Sequence, residues 1–253
     1  MQQTAQPWVF LRGLTRGSGH WGRFVGEFEV MVPDARVIAL DMPGNGRRYA
    51  ERSPCSIQAM VADYRMQLDR LGIARPYNVL AMSLGGMVAV QWAYQWPQEL
   101  QRLVLVGTSM RPLNPFYERL RPDNYTALLK LLLRSSSPLH QEQEILRMTT
   151  RHPRTDVLAD WVQCRTLNPV SAANALRQLV AAARFRLPAS SPPQLYGGRS
   201  NILLLAGQAD ALVSAKCTQT LARLWNCPAA LHPTAGHDVP LDDGPWVAEQ
   251  VRL

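Results

Sequence analysis

The sequence predicts an α/β fold: a mostly parallel central sheet flanked by helices, with one helical insertion. Three observations point there. Apolar runs that are continuous instead of alternating recur along the chain, as in strands buried on both faces. They are interleaved with stretches whose apolar residues repeat at helical spacing. Between residues 110 and 190 the strand pattern lapses and helical stretches alone remain. With 253 residues, 47% of them hydrophobic and 18% charged, the chain has the size and make-up of one globular domain. Its expected division is a core of 1–109 with 191–253 and an insertion of 110–190.

Taken in order, "WVFLRG" (Trp8 to Gly13) reads as a strand entering a loop, and "ARVIALDMPGNGRR" as a β-branched strand (Arg36 to Leu40) ending in a Pro-Gly-Asn-Gly turn. From Ser56, the spacing of Ile57, Met60, Val61, Tyr64, Leu68 and Leu71 sets one apolar stripe on a helix, capped by Ser56 and stopped by Gly72. "YNVLAM" is a strand, Leu84 to about Trp96 a helix that Pro97 closes, and "QRLVLVGTS" a buried strand. In the insertion "YTALLKLLLR", "QEQEILRMTTR", "DVLADWVQCR" and "AANALRQLVAAARF" read as helices, and "LPASSPPQLYGG" as the loop that closes it. "SNILLLAG" resumes the strands, followed by a helix (Ala215 to Trp225), a weaker strand "AALHP", and a loop with a last helix in "TAGHDVPLDDGPWVAEQV".

Composition excludes several classes. The net charge of +8 would suit an acidic partner, yet the arginines are scattered singly and in pairs, with no basic run interleaved with aromatics; no nucleic-acid role is expected. No apolar run reaches the length of a membrane span, and "MQQTAQPWVFLRG" lacks the pattern of a signal peptide, so a cytoplasmic location is the default expectation. Cys55, Cys164, Cys217 and Cys227 lie far apart without zinc-ligand spacing and read as reduced, mostly buried thiols. No metal or organic cofactor is implied, because "GNG" in "DMPGNGRR" lacks the spacing of a dinucleotide fingerprint. Oligomeric state leaves no signature in the sequence.

The chemistry gathers around "AMSLGG", residues 81 to 86. A serine between an apolar strand and a helix, with small neighbours at Ala81, Gly85 and Gly86, matches a strained turn that presents a nucleophilic hydroxyl; a serine in a closely packed helix is the bland alternative. A serine hydroxyl needs a base within reach and an acid to orient that base. Asp210, just past the strand "ILLLAG", and His237, in the loop after the next strand, supply both in the order Ser, Asp, His. Asp210 could equally be a turn residue and His237 a surface histidine like His140 and His152. Asp238, Asp242 and Asp243 are rival acids, badly placed for the far nitrogen of His237. The Leu84 amide, directly after the serine, and the Leu14 amide, after "LRG", are candidate donors to an oxyanion.

The motifs "FLRGLTRGSGHW", "LDMPGNGRR", "AMSLGGMVAVQWA", "LVLVGTS", "ILLLAGQADALVS" and "AGHDVP", in this order, resemble an α/β-hydrolase-fold enzyme of the compact proteobacterial esterase type, similar to the pimeloyl-ester carboxylesterase group. That resemblance implies Ser83 as nucleophile, His237 as general base and then acid, Asp210 as its orienter, Leu14 and Leu84 as oxyanion donors, and 110–190 as a cap. Two positions depart from the family pattern: Arg12 stands where a histidine is usual, and Ala81 where a glycine is. Neither removes a catalytic group, but Arg12 leaves the charge of the entrance open. The implied activity is a serine carboxylesterase acting on a small-molecule ester of small or medium acyl length. Thioesterase, C–C bond hydrolase and acyltransferase chemistry share the machinery, and a non-catalytic ligand receptor on the same fold is the alternative from another class. Dehalogenase and epoxide hydrolase chemistry would need Asp where Ser83 stands. Trp161, Phe116, Tyr117 and "LLKLLL" are candidates for an acyl pocket as well as for core packing, and His20 and Trp21 for its entrance.

Overall fold

The computed structural model describes residues 6–133, 137–152, 155–198 and 201–252. Expectations that touch residues 1–5, Arg134 and Ser200 therefore lie outside the described residues. The strands are β1 (Gln6–Leu11), β2 (Ala35–Leu40), β3 (Tyr77–Met82), β4 (Leu100–Val106), β5 (Ile202–Gly207) and β6 (Ala229–His232). They form one sheet in the order β2-β1-β3-β4-β5-β6, and every pairing is parallel.

The sheet explains the continuous apolar runs. Alternate residues of a strand face opposite ways, and both faces are covered here. Val9 and Leu11 of β1, with Val79 and Ala81 of β3, join one core against α2 (Ile57–Arg70) and α3 (Leu84–Gln95). Trp8 and Phe10, with Leu80 and Met82, join a second core against α1 (Phe24–Met31) and α11 (Gly244–Arg252). Phe10 sits in an aromatic cluster, 5.0 Å from the rings of Trp21 and Phe28. Side chains of this size each contribute about 1.5–3 kcal/mol when fully buried.

The helix of residues 57–70 forms as its spacing predicts, with the Ser56 hydroxyl accepting from the Ala59 amide at 3.3 Å. Leu71 departs from the expected stripe: it is the C-cap residue and 57% exposed, because the turn before Gly72 carries it off the buried face. The α1 helix was not foreseen in the sequence. It is eight residues long with a glycine inside and no side-chain cap, and its helical signal reduces to Phe24 and Phe28, four apart and both buried. The cysteines also differ from expectation. All four are free, but only Cys217 is buried, and Cys55 is exposed.

Between β4 and β5 lie α4 (Phe116–Arg119), α5 (Tyr125–Leu133), α6 (Pro138–Thr149), α7 (Thr155–Leu167) and α8 (Ala172–Arg184); α9 (Ala215–Trp225) and α10 (Val239–Asp242) follow β5 and β6. The α8 helix is tied to the sheet by polar side chains. Gln178, fully buried, accepts from the Thr15 amide at 2.8 Å and donates to Asn45 Oδ1 at 2.7 Å and Ser53 Oγ at 3.0 Å. It thus fixes the loop that follows β1. Among the described residues no helix is long and apolar enough to cross a membrane.

The fold places a crevice before any side chain is considered. From β1 the chain goes to β2 on one side and then to β3 on the other, so the connections leaving the carboxyl ends of β1 and β3 part from each other. Residues 12–18 and Ser83 stand at that parting.

Gln178→Ala should leave the Thr15 amide and its partners without acceptors or donors. A loss of about 1–3 kcal/mol in urea unfolding at an unchanged m-value is the expected outcome.

Candidate active site

Ser83 occupies the single residue between β3 and α3 with φ 51 and ψ −117, a backbone conformation that costs a non-glycine residue about 1–3 kcal/mol. Its neighbours hold it there. The Ser83 amide donates to the Val106 carbonyl at 3.0 Å, and the Thr108 hydroxyl donates to the Ser83 carbonyl at 2.8 Å. Gly85 allows the turn: a Cβ there would stand 2.6 Å from the Leu11 carbonyl oxygen. Likewise a Cβ on Gly13 would come within 3.0 Å of Ser83 Cβ. The loop after β1 and the turn after β3 therefore touch backbone to backbone. Neither the Leu84 amide, in the first turn of α3, nor the Leu14 amide has a protein acceptor among the described residues.

His237 follows β6 and is buried, with Nδ1 2.8 Å from Asp210 Oδ2. Asp210, also buried, uses its other oxygen to accept from the Leu212 and Val213 amides at 2.7 and 2.9 Å. One Asp210 oxygen thus caps a turn while the other faces the imidazole. The three rival acids are each engaged elsewhere. Asp238 pairs with Arg12, Asp242 accepts from the Thr150 hydroxyl and the Gly236 amide, and Asp243 faces His232. His140 and His152 are exposed.

Ser83 and His237 share the wall of a cavity of about 490 Å³. They are not hydrogen-bonded to each other among the described residues, and a catalytic contact of this kind is often long before substrate is bound. A second cavity of about 260 Å³ also borders Ser83, Leu14 and Leu84 and runs to the exposed Phe116. Leu128, Leu131 and Leu132 of the "LLKLLL" run line the larger cavity. Trp161 does not. It is buried beneath Arg16 and His20, and with His20 and Trp21 it borders a separate small cavity.

The charge at Arg12 is resolved by a partner the sequence did not suggest. Its two terminal nitrogens donate to Asp238 at 3.1 and 2.6 Å, Nη1 also reaches Met82 Sδ at 3.2 Å, and the guanidinium lies 4.6 Å from the centre of the Trp21 ring. Arg16 and Arg165 also border the larger cavity and were equally missed. No spacing in the sequence signals the Arg12–Asp238 pair or the contacts of Arg16 and Arg165 with Glu142 of α6, since they join residues more than a hundred positions apart or two different helices. Among the described residues no group of three or more His, Cys, Asp or Glu side chains is placed to hold a metal ion.

Burial of His237 works against the imidazolium, but the Asp210 carboxylate, assisted by Asp238 and opposed by Arg12, prevails and raises its pKa above the ordinary value. His20 goes the other way, held well below the usual histidine range by burial and by Arg16 and Arg12.

A parallel sheet with a strained serine after its third strand and a buried imidazole–carboxylate pair after its last two strands defines a class, and sequence comparison supplies its name. The family model for the alpha/beta hydrolase fold matches residues 7–243, and the chain belongs to that family. Solved structures agree on the fold. A malate-bound thermophilic esterase from Thermogutta terrifontis is similar with a TM-score of 0.73 at 20% identity, covering 98% of this chain and 89% of that one. An esterase from Exiguobacterium antarcticum reaches a TM-score of 0.76 at 15% identity, covering 98% and 91%. Among curated relatives, the 2-hydroxy-6-oxononadienedioate/2-hydroxy-6-oxononatrienedioate hydrolase of Escherichia coli is 25% identical over 179 residues, which is 64% of this chain and 61% of that protein. Homoserine O-acetyltransferase of Citrifermentans bemidjiense is 38% identical over 71 residues, 28% of this chain and 19% of that protein. This chain therefore spans less than two thirds of either curated relative.

The raised pKa of His237 gives a direct reading. Titrated by NMR, its imidazole should have a midpoint above about 6.5, and Asp210→Asn should move that midpoint down, because burial then acts with less opposition.

Proposed function

We propose that this chain is a serine hydrolase that cleaves a carboxylic ester of small or medium acyl length through an acyl-enzyme. The observation that carries the proposal is the strained Ser83 sharing one cavity with His237, whose far nitrogen is bonded to the buried Asp210 carboxylate. In this reading Ser83 Oγ attacks the ester carbonyl while His237 Nε2 takes its proton. Asp210 keeps the proton on Nδ1, leaving Nε2 free to accept, and stabilises the imidazolium that forms.

The tetrahedral oxyanion is received by the Leu14 and Leu84 amides, whose freedom from other acceptors supports that role; each such donor is worth about 2.7–4 kcal/mol of barrier. The dipole of α3 adds to the same end. His237 then returns its proton to the leaving alcohol, activates a water, and the acyl-enzyme is hydrolysed. Helices of the segment 110–190 act as a cap in this reading, supported by Leu128, Ile145 and Leu179, which line the cavity that Ser83 borders. Substrate is a small molecule, and no step calls for a cofactor.

A second reading is C–C bond hydrolysis of a diketone, which shares this machinery and draws on the match to the Escherichia coli hydrolase, whose substrate is named as a hydroxy-oxo-dienedioate; the same oxyanion site would serve, and the proton that His237 takes from Ser83 would pass to the departing carbon. A diketone hydrolysed faster than short esters would select it.

Ser83→Ala should lower kcat for p-nitrophenyl esters by about 10³-fold or more at intact fold; unchanged turnover would end the proposal. Because the base must be neutral, kcat/KM should rise with pH through the raised His237 pKa, so the acid limb should fall above the ordinary histidine range.

A further inference from the structure

The larger cavity has a charged wall that ester cleavage does not use. Arg16, in the loop after β1, and Arg165, on α7, both border it. Both converge on one carboxylate, Glu142 of α6, which is fully buried. Arg16 Nη1 donates to its two oxygens at 3.0 and 2.7 Å, Arg165 donates through Nε, and Arg165 Nη1 donates to Gln141 Oε1 at 2.9 Å. Two guanidiniums against one carboxylate leave one positive charge over.

The other ionisable groups bordering the cavity do not absorb that charge. Arg12 and Asp238 neutralise each other, and the Asp210 carboxylate, bonded to His237, does not border the cavity. His20, close by, is held neutral. Arg16 itself is stressed: burial, with Arg165 and Arg12 adding to it and Glu142 opposing, pushes its pKa down to about 10. The guanidinium lies 4.0 Å from the centre of the Trp161 ring, 93% of the residue's surface is covered (7% exposed), and its Nη2 has no hydrogen-bond partner among the described residues. A buried guanidinium nitrogen without an acceptor is costly, and a negative charge brought into the adjoining cavity would ease that cost through space.

We propose that Arg16 and Arg165 form a subsite for a carboxylate on the substrate, remote from the scissile carbonyl, so that the preferred substrate is a monoanionic ester. A single surplus charge matches a carboxylate better than a phosphate dianion, and the flat fork of a guanidinium fits two carboxylate oxygens. The cavity that this end shares with Ser83 is also lined by Leu131, Ile145 and Met148, apolar side chains that suit a methylene chain. The inference rests on the ester-hydrolase reading of Ser83.

The test compares esters of graded length with a terminal carboxylate against twins in which that carboxylate is capped as a methyl amide. One arm places it on the acyl side, as p-nitrophenyl monoesters of dicarboxylic acids, and the other on the alcohol side, as acetylated ω-hydroxy acids. In at least one arm kcat/KM should favour the charged member by about tenfold or more, the yield of one charge-assisted hydrogen bond. Arg165→Gln should erase that ratio, and since it leaves Arg16 matched by Glu142, the buried cluster stays balanced. Independently of turnover, Ser83→Ala should bind the charged member more tightly by calorimetry. A ratio near one in both arms, a ratio that survives Arg165→Gln, or equal binding by Ser83→Ala would overturn the subsite. Failure to cleave any of the esters would count against the esterase reading alone, and the calorimetric comparison would still decide the carboxylate.

Discussion

Everything at the site depends on how closely two chain segments pass at the carboxyl ends of β1 and β3. Gly85 lies against the Leu11 and Arg12 carbonyls, and Gly13 against Ser83. Side chains at either glycine would push the loop and the turn apart, and with them the Leu14 and Leu84 amides that stand on opposite sides of the contact. The topology of the sheet puts this contact where the strand order reverses, so a concave space opens above it without further design. Gln178 then braces the loop from the helical side, which makes the first turn after β1 a fixed wall and not a free connection.

The loop after β6 is secured with equal economy. Neighbouring residues His237 and Asp238 face different partners: Asp210 beyond the end of β5, and Arg12 at the end of β1. A buried ion pair of this kind adds little net stability compared with a well-packed apolar pair, whereas loss of one partner costs about 3–5 kcal/mol. Its contribution here is orientation. It holds the residue next to His237 while Asp210 holds the ring, so the imidazole is constrained through both backbone and side chain. Aromatic faces complete the arrangement, with Trp21 against Arg12 and Trp161 against Arg16.

The parts of this architecture that follow local rules were legible in the sequence. Continuous apolar strands, the Ser56 cap, the helix closed by Pro97 and the Ser-x-Gly turn each depend on residues within a few positions of one another. Ser83, Asp210 and His237 could be named because each follows a recognisable strand, and the structure does bring Asp210 to His237 and His237 to the cavity of Ser83. What stayed hidden is set by distance along the chain. Arg12 meets Asp238 across 226 positions and Arg16 meets Glu142 across 126, so nothing near either arginine announces its partner. The α1 helix was missed for a different reason: tertiary packing of Phe24 and Phe28, more than local propensity, makes it helical.

The positive φ of Ser83 has a wider consequence. An L-residue is at a disadvantage there whatever its side chain, and glycine would relieve it, so the wild-type chain gives up conformational free energy at the position where the proposed mechanism needs a hydroxyl. Under that mechanism durability and reactivity are opposed within a single residue. A search for more robust versions of this protein would therefore be drawn toward silencing it, and screens for heat resistance on this scaffold should be run with activity as a simultaneous requirement.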